Sequence, residues 1–295
     1  MSLDLKEVIK IATTQLEKAG IEDAEIDAKE LYMFLQKYNK VDLLMHWSDV
    51  IGDNQVERYF ELVEKRASRT PLQHIVGSQE FMGLKFKVSP QVLIPRLDTE
   101  PVVEEALKYL NKTSEVLDLC SGSGAIGISI AKLKECKVTC SDVSDDAIKL
   151  GEENARLNQV KVKFVKSDML KKFSVGLGKK KYDMIISNPP YIESKVISTL
   201  EPEVKEHEPI TALDGGKDGL DFFRIIAEEA PQRIKKNGML VLEIGSDQGE
   251  SVKKLLKDSN SFADIEVKKD LANHDRIVVA KLLDKKKCQK ETVQA

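Results

Sequence analysis

The chain contains few of the residues that build metal sites or disulfide frameworks. It has four histidines and four cysteines in 295 residues, the latter at Cys120, Cys136, Cys140 and Cys288. No two cysteines form a CxxC pair and no histidine neighbours them at ligand spacing, so neither a zinc site nor a disulfide framework is indicated. We therefore expect reduced thiols and no metal.

The chain also lacks long apolar runs. No stretch approaches the roughly 18 apolar residues of a membrane-spanning helix, and the N-terminal sequence MSLDLKEVIK has no apolar signal-peptide core. We expect a cytoplasmic protein with no membrane partner.

Aromatic residues and excess positive charge are scarce as well. Aromatic residues make up 5% of the chain and the net charge is −3. A protein that binds mainly nucleic-acid phosphates needs a positive field, and one that grips single strands commonly uses stacking aromatic rings. Direct nucleic-acid binding is therefore not expected, although a net charge of −3 is compatible with a local basic patch.

Hydrophobic periodicity divides the chain into four segments. Residues 1–70 have apolar residues at helical spacing throughout and predict a small N-terminal helical bundle domain. Residues 71–96 predict a β-hairpin connector, because Leu84, Phe86 and Val88 alternate with polar residues there. Residues 97–284 alternate apolar strands with amphipathic helices, which indicates an α/β domain with a mostly parallel sheet. The lysine-rich residues 285–295 predict a disordered tail.

The α/β segment predicts a seven-stranded sheet. Five strands are expected at 115–120, 137–141, 161–165, 182–187 and 239–244. Helices are expected at 124–134, 144–157, 218–236 and 248–258, and another with Pro101 in its first turn and Asp98 or Thr99 as its cap. Two closely spaced extended runs, 263–268 and 276–283, predict an antiparallel pair at the end of the sheet.

A glycine-rich loop follows the first of these strands. Its residues are Cys120, Ser121, Gly122, Ser123 and Gly124, and with Gly127 they form the pattern GxGxxG. Asp142 ends the next strand, where a carboxylate can accept hydrogen bonds from a ribose diol. Asp118 should bring a negative charge to the mouth of the loop, repelling a pyrophosphate and attracting the ammonium and sulfonium of S-adenosylmethionine (SAM). The loop favours SAM, with NAD as the alternative.

The tetrapeptide Asn188-Pro189-Pro190-Tyr191 follows the fourth strand. Neither proline has a backbone N–H, so the turn is rich in carbonyl acceptors. The Asn188 side-chain oxygen and the Pro189 carbonyl could together accept both hydrogens of a planar NH2 group, and Tyr191 could pack against its face. A purely structural turn is the alternative. If the two strands are neighbours, the loop and this turn share one edge of the sheet.

Several further motifs give the chain a family resemblance. They are Pro71-Leu72-Gln73-His74-Ile75-Val76-Gly77, Leu93-Ile94-Pro95-Arg96-Leu97-Asp98-Thr99-Glu100, Gly215-Gly216-Lys217-Asp218-Gly219 and Leu242-Glu243-Ile244-Gly245. With the loop and the Asn-Pro-Pro-Tyr turn, they resemble the HemK/PrmC-type N5-glutamine methyltransferases, which methylate the glutamine of the Gly-Gly-Gln motif in peptide chain release factors. The resemblance implies a class I, Rossmann-like SAM-dependent methyltransferase fold and release factors as partners.

The resemblance also implies roles for individual residues. It assigns the loop from Cys120 to Gly124 to SAM, Asp142 to the ribose, Asp168 and Met169 to the adenine, and the turn from Asn188 to Tyr191 to the glutamine amide. Two positions depart from the family pattern, which usually has glycine at 120 and often an aromatic residue at 169. A cysteine at 120 predicts a negative φ there.

Two other functions compete with this interpretation. Asn-Pro-Pro-Tyr also occurs in adenine-N6 methyltransferases, so a DNA or RNA methyltransferase is the alternative enzyme. A release-factor or ribosome-associated binding module with a vestigial SAM fold is the alternative without catalysis. The presence of Asp118, Asp142 and Asn188 argues against the second.

Overall fold

A computed structural model describes residues 3–175 and 180–284 of the chain. The predicted tail at 285–295, including Cys288, lies outside the described residues. Contacts divide the chain into two compact units. The first comprises Met1–Ser78 and Glu201–His207, and the second comprises Gln79–Leu200 and Glu208–Ala295.

Helices and strands account for most of the described residues. The helices are α1 Leu5–Lys18, α2 Ala24–Gln36, α3 Lys40–Met45, α4 Asp53–Ala67, α5 Leu72–Val76, α6 Glu100–Leu107, α7 Ala125–Lys134, α8 Asp145–Leu157, α9 Lys171–Val175, α10 Pro202–Lys205, α11 Asp221–Glu229 and α12 Gly249–Asp258. The strands are β1 Ser78–Phe81, β2 Leu84–Lys87, β3 Glu115–Leu119, β4 Lys137–Asp142, β5 Val162–Lys166, β6 Tyr182–Ser187, β7 Ile234–Glu243, β8 Phe262–Lys269 and β9 Asp275–Leu282. Within the described ranges, no helix is both long and apolar enough to cross a membrane.

The first unit is a helical bundle organised around the apolar stripe of α1. Asp4 and Glu7 form a capping box at its start, each side chain accepting a hydrogen bond from the other residue's backbone N–H. The stripe of Leu5, Val8 and Leu16 is fully buried against α2 and α4. Burial of this stripe, rather than helix propensity alone, holds such short helices together.

Ion pairs group residues 201–207 with this bundle. The Arg66 guanidinium, which is 8% exposed, lies 2.6 Å from Asp27 and 2.9 Å from Glu203. Arg69 adds contacts of 2.7 Å to Glu201 and 2.6 Å to Glu203. A buried arginine needs such partners, because leaving its charge unpaired is costly. The hydrophobic pattern contains no sign of this grouping, which depends on charges far apart in sequence.

The second unit contains the β1–β2 hairpin and a seven-stranded sheet in the order β5-β4-β3-β6-β7-β9-β8. The first five strands are parallel, and β9 pairs antiparallel with both β7 and β8. Helices cover the sheet, and the apolar residues of β3 alternate between two cores, with Val116 in one and Leu117 and Leu119 in the other. The expected fold class and the antiparallel pair at the end of the sheet are confirmed.

One predicted element is divided differently. The helix expected at 218–236 is α11, which ends at Glu229, followed by a 3-10 turn at Ala230–Gln232 and by β7 from Ile234. Pro231 has no backbone N–H and cannot continue an α-helix, and Ile234 pairs with Tyr182 of β6. The strand therefore begins five residues before the expected position 239.

Candidate functional site

The glycine loop and the Asn-Pro-Pro-Tyr turn lie at the same edge of the sheet. Strands β3 and β6 are parallel neighbours, and their last paired residues are Leu119 and Ser187. The Ser187 hydroxyl donates to the Leu119 carbonyl at 2.8 Å and ties the two strand ends together. The loop begins at Cys120 and the turn at Asn188, so both leave the sheet at the same level.

A cavity of about 140 Å³ opens at this edge within the second unit. Predicted site residues that line it are Cys120, Ser121, Gly122, Ser123, Asp142, Asp168, Met169, Asn188 and Pro190. Asp118, Gly124, Pro189 and Tyr191 are not part of its lining. The structure therefore gathers most of the predicted residues around one space, and the other four lie next to it in the chain.

The loop has the backbone geometry of a ligand cradle. Gly122 and Gly124 have φ of 50° and 80°, in the left-handed region that glycine enters without strain. Asn154 holds the loop from behind by donating to the Ser123 carbonyl at 3.0 Å. The Ser121 hydroxyl is buried at the cavity and has no hydrogen-bond partner among the described residues. Such an orphaned polar group is typical of a position that a ligand completes.

The backbone at Cys120 differs from the expectation. Its φ is 56°, so the predicted negative φ is wrong, and Met169 also has a positive φ, 44°. The chain keeps the left-handed turn that glycine makes easily and accepts the strain of a β-carbon there. The Cys120 sulfur lies 3.7 Å from the Met169 sulfur, and burial raises the pKa of the thiol. The Cys120 thiol therefore remains protonated and forms part of the cavity wall.

Asp142 faces the cavity from the end of β4. Its Oδ2 accepts from the Gly122 N–H at 2.8 Å and its Oδ1 accepts from the Ser144 N–H at 3.0 Å. Burial raises the pKa of the carboxyl, and these backbone donors oppose the rise. Each carboxylate oxygen has a second lone pair, so the oriented group can still accept hydrogen bonds from a diol.

Asp118 lies behind the loop rather than at its mouth, which corrects the expectation. Its side chain is 0% exposed, and its Oδ2 accepts from the Gly127 N–H at 2.9 Å. A β-carbon on Gly127 would approach the Cys140 sulfur to 2.3 Å, which shows how closely α7 packs there. Burial raises the pKa of Asp118 to about 7. Asp118 therefore fixes the start of α7 instead of presenting a charge to the cavity.

Asp168 and Met169 border the cavity on the side of β5. Met169 is buried, whereas Asp168 is exposed and lies 2.5 Å from the Lys171 ammonium. The Ser167 hydroxyl donates to the Met169 carbonyl at 2.8 Å and holds this short turn.

Asn188 has a defined orientation at the cavity. Its Nδ2 donates to the Thr99 hydroxyl oxygen at 3.3 Å, which leaves Oδ1 as an acceptor. In the described part of the chain, no hydrogen bond reaches the Pro189 carbonyl. Thr99 was expected only as a helix cap. It holds the position before α6, but its side chain makes no capping hydrogen bond.

Tyr191 leads away from the cavity and contacts residues to which the sequence assigned no role in the site. Its hydroxyl donates to Oε1 of Glu243 at 3.3 Å, and its carbonyl accepts from the Gln248 side chain at 2.9 Å. A β-carbon on Gly215 would lie 2.7 Å from the Tyr191 Cα, so the glycine-rich loop after 214 must pass directly over the turn. The quoted motifs contain Gly215 and Glu243, but only the fold brings them together.

Family models match most of the chain. The PrmC N-terminal domain matches residues 7–77, and the methyltransferase small domain matches residues 90–202. Two similar proteins are the release factor glutamine methyltransferases of Clostridium acetobutylicum and Fusobacterium nucleatum. The first is 40% identical over 94% of this chain and 98% of its own length, and the second is 41% identical over 90% of this chain and 75% of its own length.

The chain belongs to the family of release factor glutamine methyltransferases. A third member, from Geobacter sulfurreducens, is 37% identical over 93% of this chain and 95% of its own length. Each alignment covers 90% or more of this chain, so the family assignment includes both units.

Solved structures support the fold of the family. The catalytic domain of hMettl16, in complex with MAT2A 3′UTR hairpin 6, aligns with a TM-score of 0.53 and 15% identity over 79% of this chain and 83% of its own. SMU.776, complexed with SAH, aligns with a TM-score of 0.52 and 12% identity over 80% of this chain and 68% of its own. Among the described residues, no group of three or more histidine, cysteine or acidic side chains could hold a metal ion.

Proposed function

We propose that this chain transfers the methyl group of SAM to the side-chain amide nitrogen of the glutamine in the Gly-Gly-Gln motif of peptide chain release factors, and thereby modulates translation termination. The observation that carries the proposal is the orientation of Asn188. Its nitrogen is engaged by Thr99 at 3.3 Å, and its oxygen is left as an acceptor beside the cavity. Membership of the release factor glutamine methyltransferase family names the substrate.

The cavity residues fit SAM. Gly122 and the orphaned Ser121 hydroxyl can meet the amino-acid part of the cofactor, and the Asp142 carboxylate can meet the ribose hydroxyls. Met169 and Asp168 can border the adenine, with the Met169 sulfur as a polarizable contact. Cys120 and Ser123 complete the wall. Asp118 and Gly124 act indirectly, by holding the loop against α7. When bound, SAM supplies an electrophilic methyl group.

The Asn-Pro-Pro-Tyr turn positions the acceptor. An amide nitrogen is a poor nucleophile because its lone pair is delocalised into the carbonyl, so position must substitute for basicity. Asn188 Oδ1 and the Pro189 carbonyl accept the two amide hydrogens and aim the nitrogen at the methyl group. Pro190 lines the cavity and keeps the turn rigid, and Tyr191 anchors the end of the turn through its hydrogen bonds with Glu243 and Gln248.

The same two acceptors stabilise the transition state. Methyl transfer would make the nitrogen more positive, and its hydrogen bonds to Asn188 and Pro189 would grow stronger with that charge. The nitrogen's proton would become acidic only as the methyl group arrives, so it could pass to water without a strong general base.

The N-terminal helices contribute to recognition of the release factor. One glutamine in a large protein must be selected through contacts beyond the reacting group. Deleting residues 1–70 should raise KM for the intact release factor while leaving SAM affinity unchanged. A cytoplasmic location follows from the proposed substrate.

Incubation with labelled SAM tests the proposal against its rivals. Label should appear on a release factor, and a release factor with the motif glutamine replaced should stay unlabelled. Label on nucleic acid alone would indicate an adenine-N6 methyltransferase and overturn the proposal. SAM binding with no label on any acceptor would favour a binding module.

A further inference from the structure

The two prolines deprive the Asn-Pro-Pro-Tyr turn of backbone donors. Pro189 and Pro190 have no N–H group, so neither can tie the turn to a neighbouring segment by donating a hydrogen bond. The turn is attached to the sheet at its start, where β6 ends at Ser187. The Pro189 carbonyl lies between this attachment and the other end of the turn, so its position depends on an anchor at that end.

Gln248 supplies this anchor. It directly precedes α12 and is 7% exposed. Its Nε2 donates to the Tyr191 carbonyl at 2.9 Å and to the Gly219 carbonyl at 3.2 Å. Both hydrogens of the buried amide are therefore used, and one side chain joins the end of the turn to the loop at 215–219.

The surroundings of the Gln248 amide allow only one orientation. Its Oε1 accepts from the Gly245 N–H at 3.0 Å, and the backbone N–H of Gln248 donates to the Gly245 carbonyl at 3.0 Å. A flipped amide would set its oxygen against two carbonyl oxygens and its nitrogen against an N–H group. The backbone groups around Gln248 therefore direct its two donors toward Tyr191 and Gly219.

The loop at 215–219 packs against this contact without spare room. Gly219 has a φ of 71°, and a β-carbon there would lie 2.4 Å from the Tyr191 carbonyl oxygen and 2.6 Å from Gln248 Nε2. The residue after the turn is held by the same loop, because the Ile192 carbonyl accepts from the Gly215 N–H at 2.8 Å. A displaced Tyr191 carbonyl would therefore disturb several contacts at once.

A second buried amide holds the cofactor loop at 120–124 in the same way. Asn154 on α8 is 0% exposed, and its Nδ2 donates to the Ser123 carbonyl at 3.0 Å and to the Lys87 carbonyl at 3.2 Å. Its Oδ1 accepts from the Lys87 N–H at 2.7 Å. Asn154 and Gln248 thus share a pattern of two carbonyl acceptors and one N–H donor. The cofactor loop and the acceptor turn have separate anchors.

We propose that Gln248 is a positioning residue for methyl transfer, holding the Tyr191 carbonyl so that the acceptors on Asn188 and Pro189 face the glutamine amide. The inference rests on the proposed function, since it describes how the acceptor site of that reaction is kept in place. Gln248 does not line the cavity and does not touch the substrate. It acts through the backbone of the turn.

Gln248→Met tests the anchor, because methionine has a similar length and no donor. The variant should lower kcat by roughly 10- to 100-fold, the scale of a small misplacement of the reacting groups. KM for the release factor should change less than kcat, because docking contacts extend beyond the turn. SAM affinity by calorimetry should stay unchanged. Asn154→Leu, which removes the anchor of the cofactor loop, should instead weaken SAM binding.

Asn158→Leu is the matched control for a loss of stability. Asn158 is 9% exposed, and its Nδ2 donates to the carbonyls of Lys85 and Asn154 at 2.9 Å and 3.0 Å, neither of which lines the cavity. Like Gln248→Met, this variant should unfold at a lower urea concentration than the wild-type chain. It should leave kcat and SAM affinity unchanged. An equal fall of kcat in both variants would assign the effect to stability and overturn the proposal.

Gly219→Ala tests the same contact from the other side. The added β-carbon would push the Tyr191 carbonyl away from Gln248, so kcat should fall without a loss of SAM affinity. Gly83→Ala is its control, because Gly83 has a φ of 68° and a β-carbon there meets nothing within 4 Å. This control has the same backbone strain without the clash and should keep the wild-type kcat. The glycine pair decides the matter if Gln248→Met does not fold.

The possible outcomes bear on the anchor and on the proposed function separately. Wild-type kcat in Gln248→Met and Gly219→Ala would overturn the anchor, and so would a loss of SAM affinity in Gln248→Met as large as in Asn154→Leu. A wild-type chain that labels no release factor refutes the proposed function, and the inference with it. An active wild-type chain with equally active variants refutes only the inference.

Discussion

Replacing Cys120 by glycine and by alanine measures the strain in the cofactor loop. Cys120 has φ of 56°, where a β-carbon costs about 1–2 kcal/mol that glycine avoids. At an ordinary position glycine is less stable than alanine by about 0.5–1 kcal/mol, because its unfolded chain has more conformational freedom. Both variants lose the sulfur, so its packing cancels in the comparison. We expect C120G to be more stable than C120A by roughly 0.8 kcal/mol.

Urea unfolding of both variants gives this difference directly. Cys136 is the control, because it is a buried cysteine, whereas Cys120 is half-buried, and its φ is not positive. There the order should reverse, with C136G less stable than C136A by about 0.5–1 kcal/mol. If glycine is the less stable residue at both positions by similar margins, the assignment of backbone strain to Cys120 is wrong.

Three further predictions concern the candidate site. Asn188→Ala should lower kcat by roughly 10²-fold while sparing SAM binding, and near-normal turnover would contradict its role. Asp142→Ala should weaken SAM binding by about 1.5–3 kcal/mol in calorimetry, and unchanged affinity would contradict the ribose contact. Burial raises the pKa of Asp118 to about 7, so the folded chain holds a proton that the unfolded chain releases from about pH 4 upward. The free energy of unfolding should therefore fall as pH rises toward 7, and D118N should flatten that fall; an unaltered slope would contradict the raised pKa.

The shared edge of the sheet is the part of the site that the sequence predicts best. A glycine loop after one parallel strand and a polar turn after another must both lie at the carboxyl ends of the strands. The motifs at Gly122 and Asn188 predict this shared edge because the residues of each motif are contiguous in sequence. The fold then supplies the adjacency of β3 and β6, which brings the two motifs to one cavity.

The remaining features depend on contacts between distant residues. The turn between β3 and α7 requires a positive φ at Cys120. This requirement overrides the preference of a non-glycine residue for a negative φ. Asp118 was expected at the mouth of the loop because it lies four residues before Gly122. That spacing does not show whether the side chain is exposed at the cavity or buried behind the loop. The Thr99 contact to Asn188 spans 89 positions of sequence and leaves no periodic signal.

The position of the transferred methyl group tests the central claim most directly. After incubation of the chain with SAM and a release factor, peptide mass spectrometry should locate one added methyl group on the glutamine of the Gly-Gly-Gln motif. Asn188→Ala should greatly reduce the yield of that peptide under the same conditions. Methylation at another residue, or of nucleic acid with the release factor unmodified, would contradict the account.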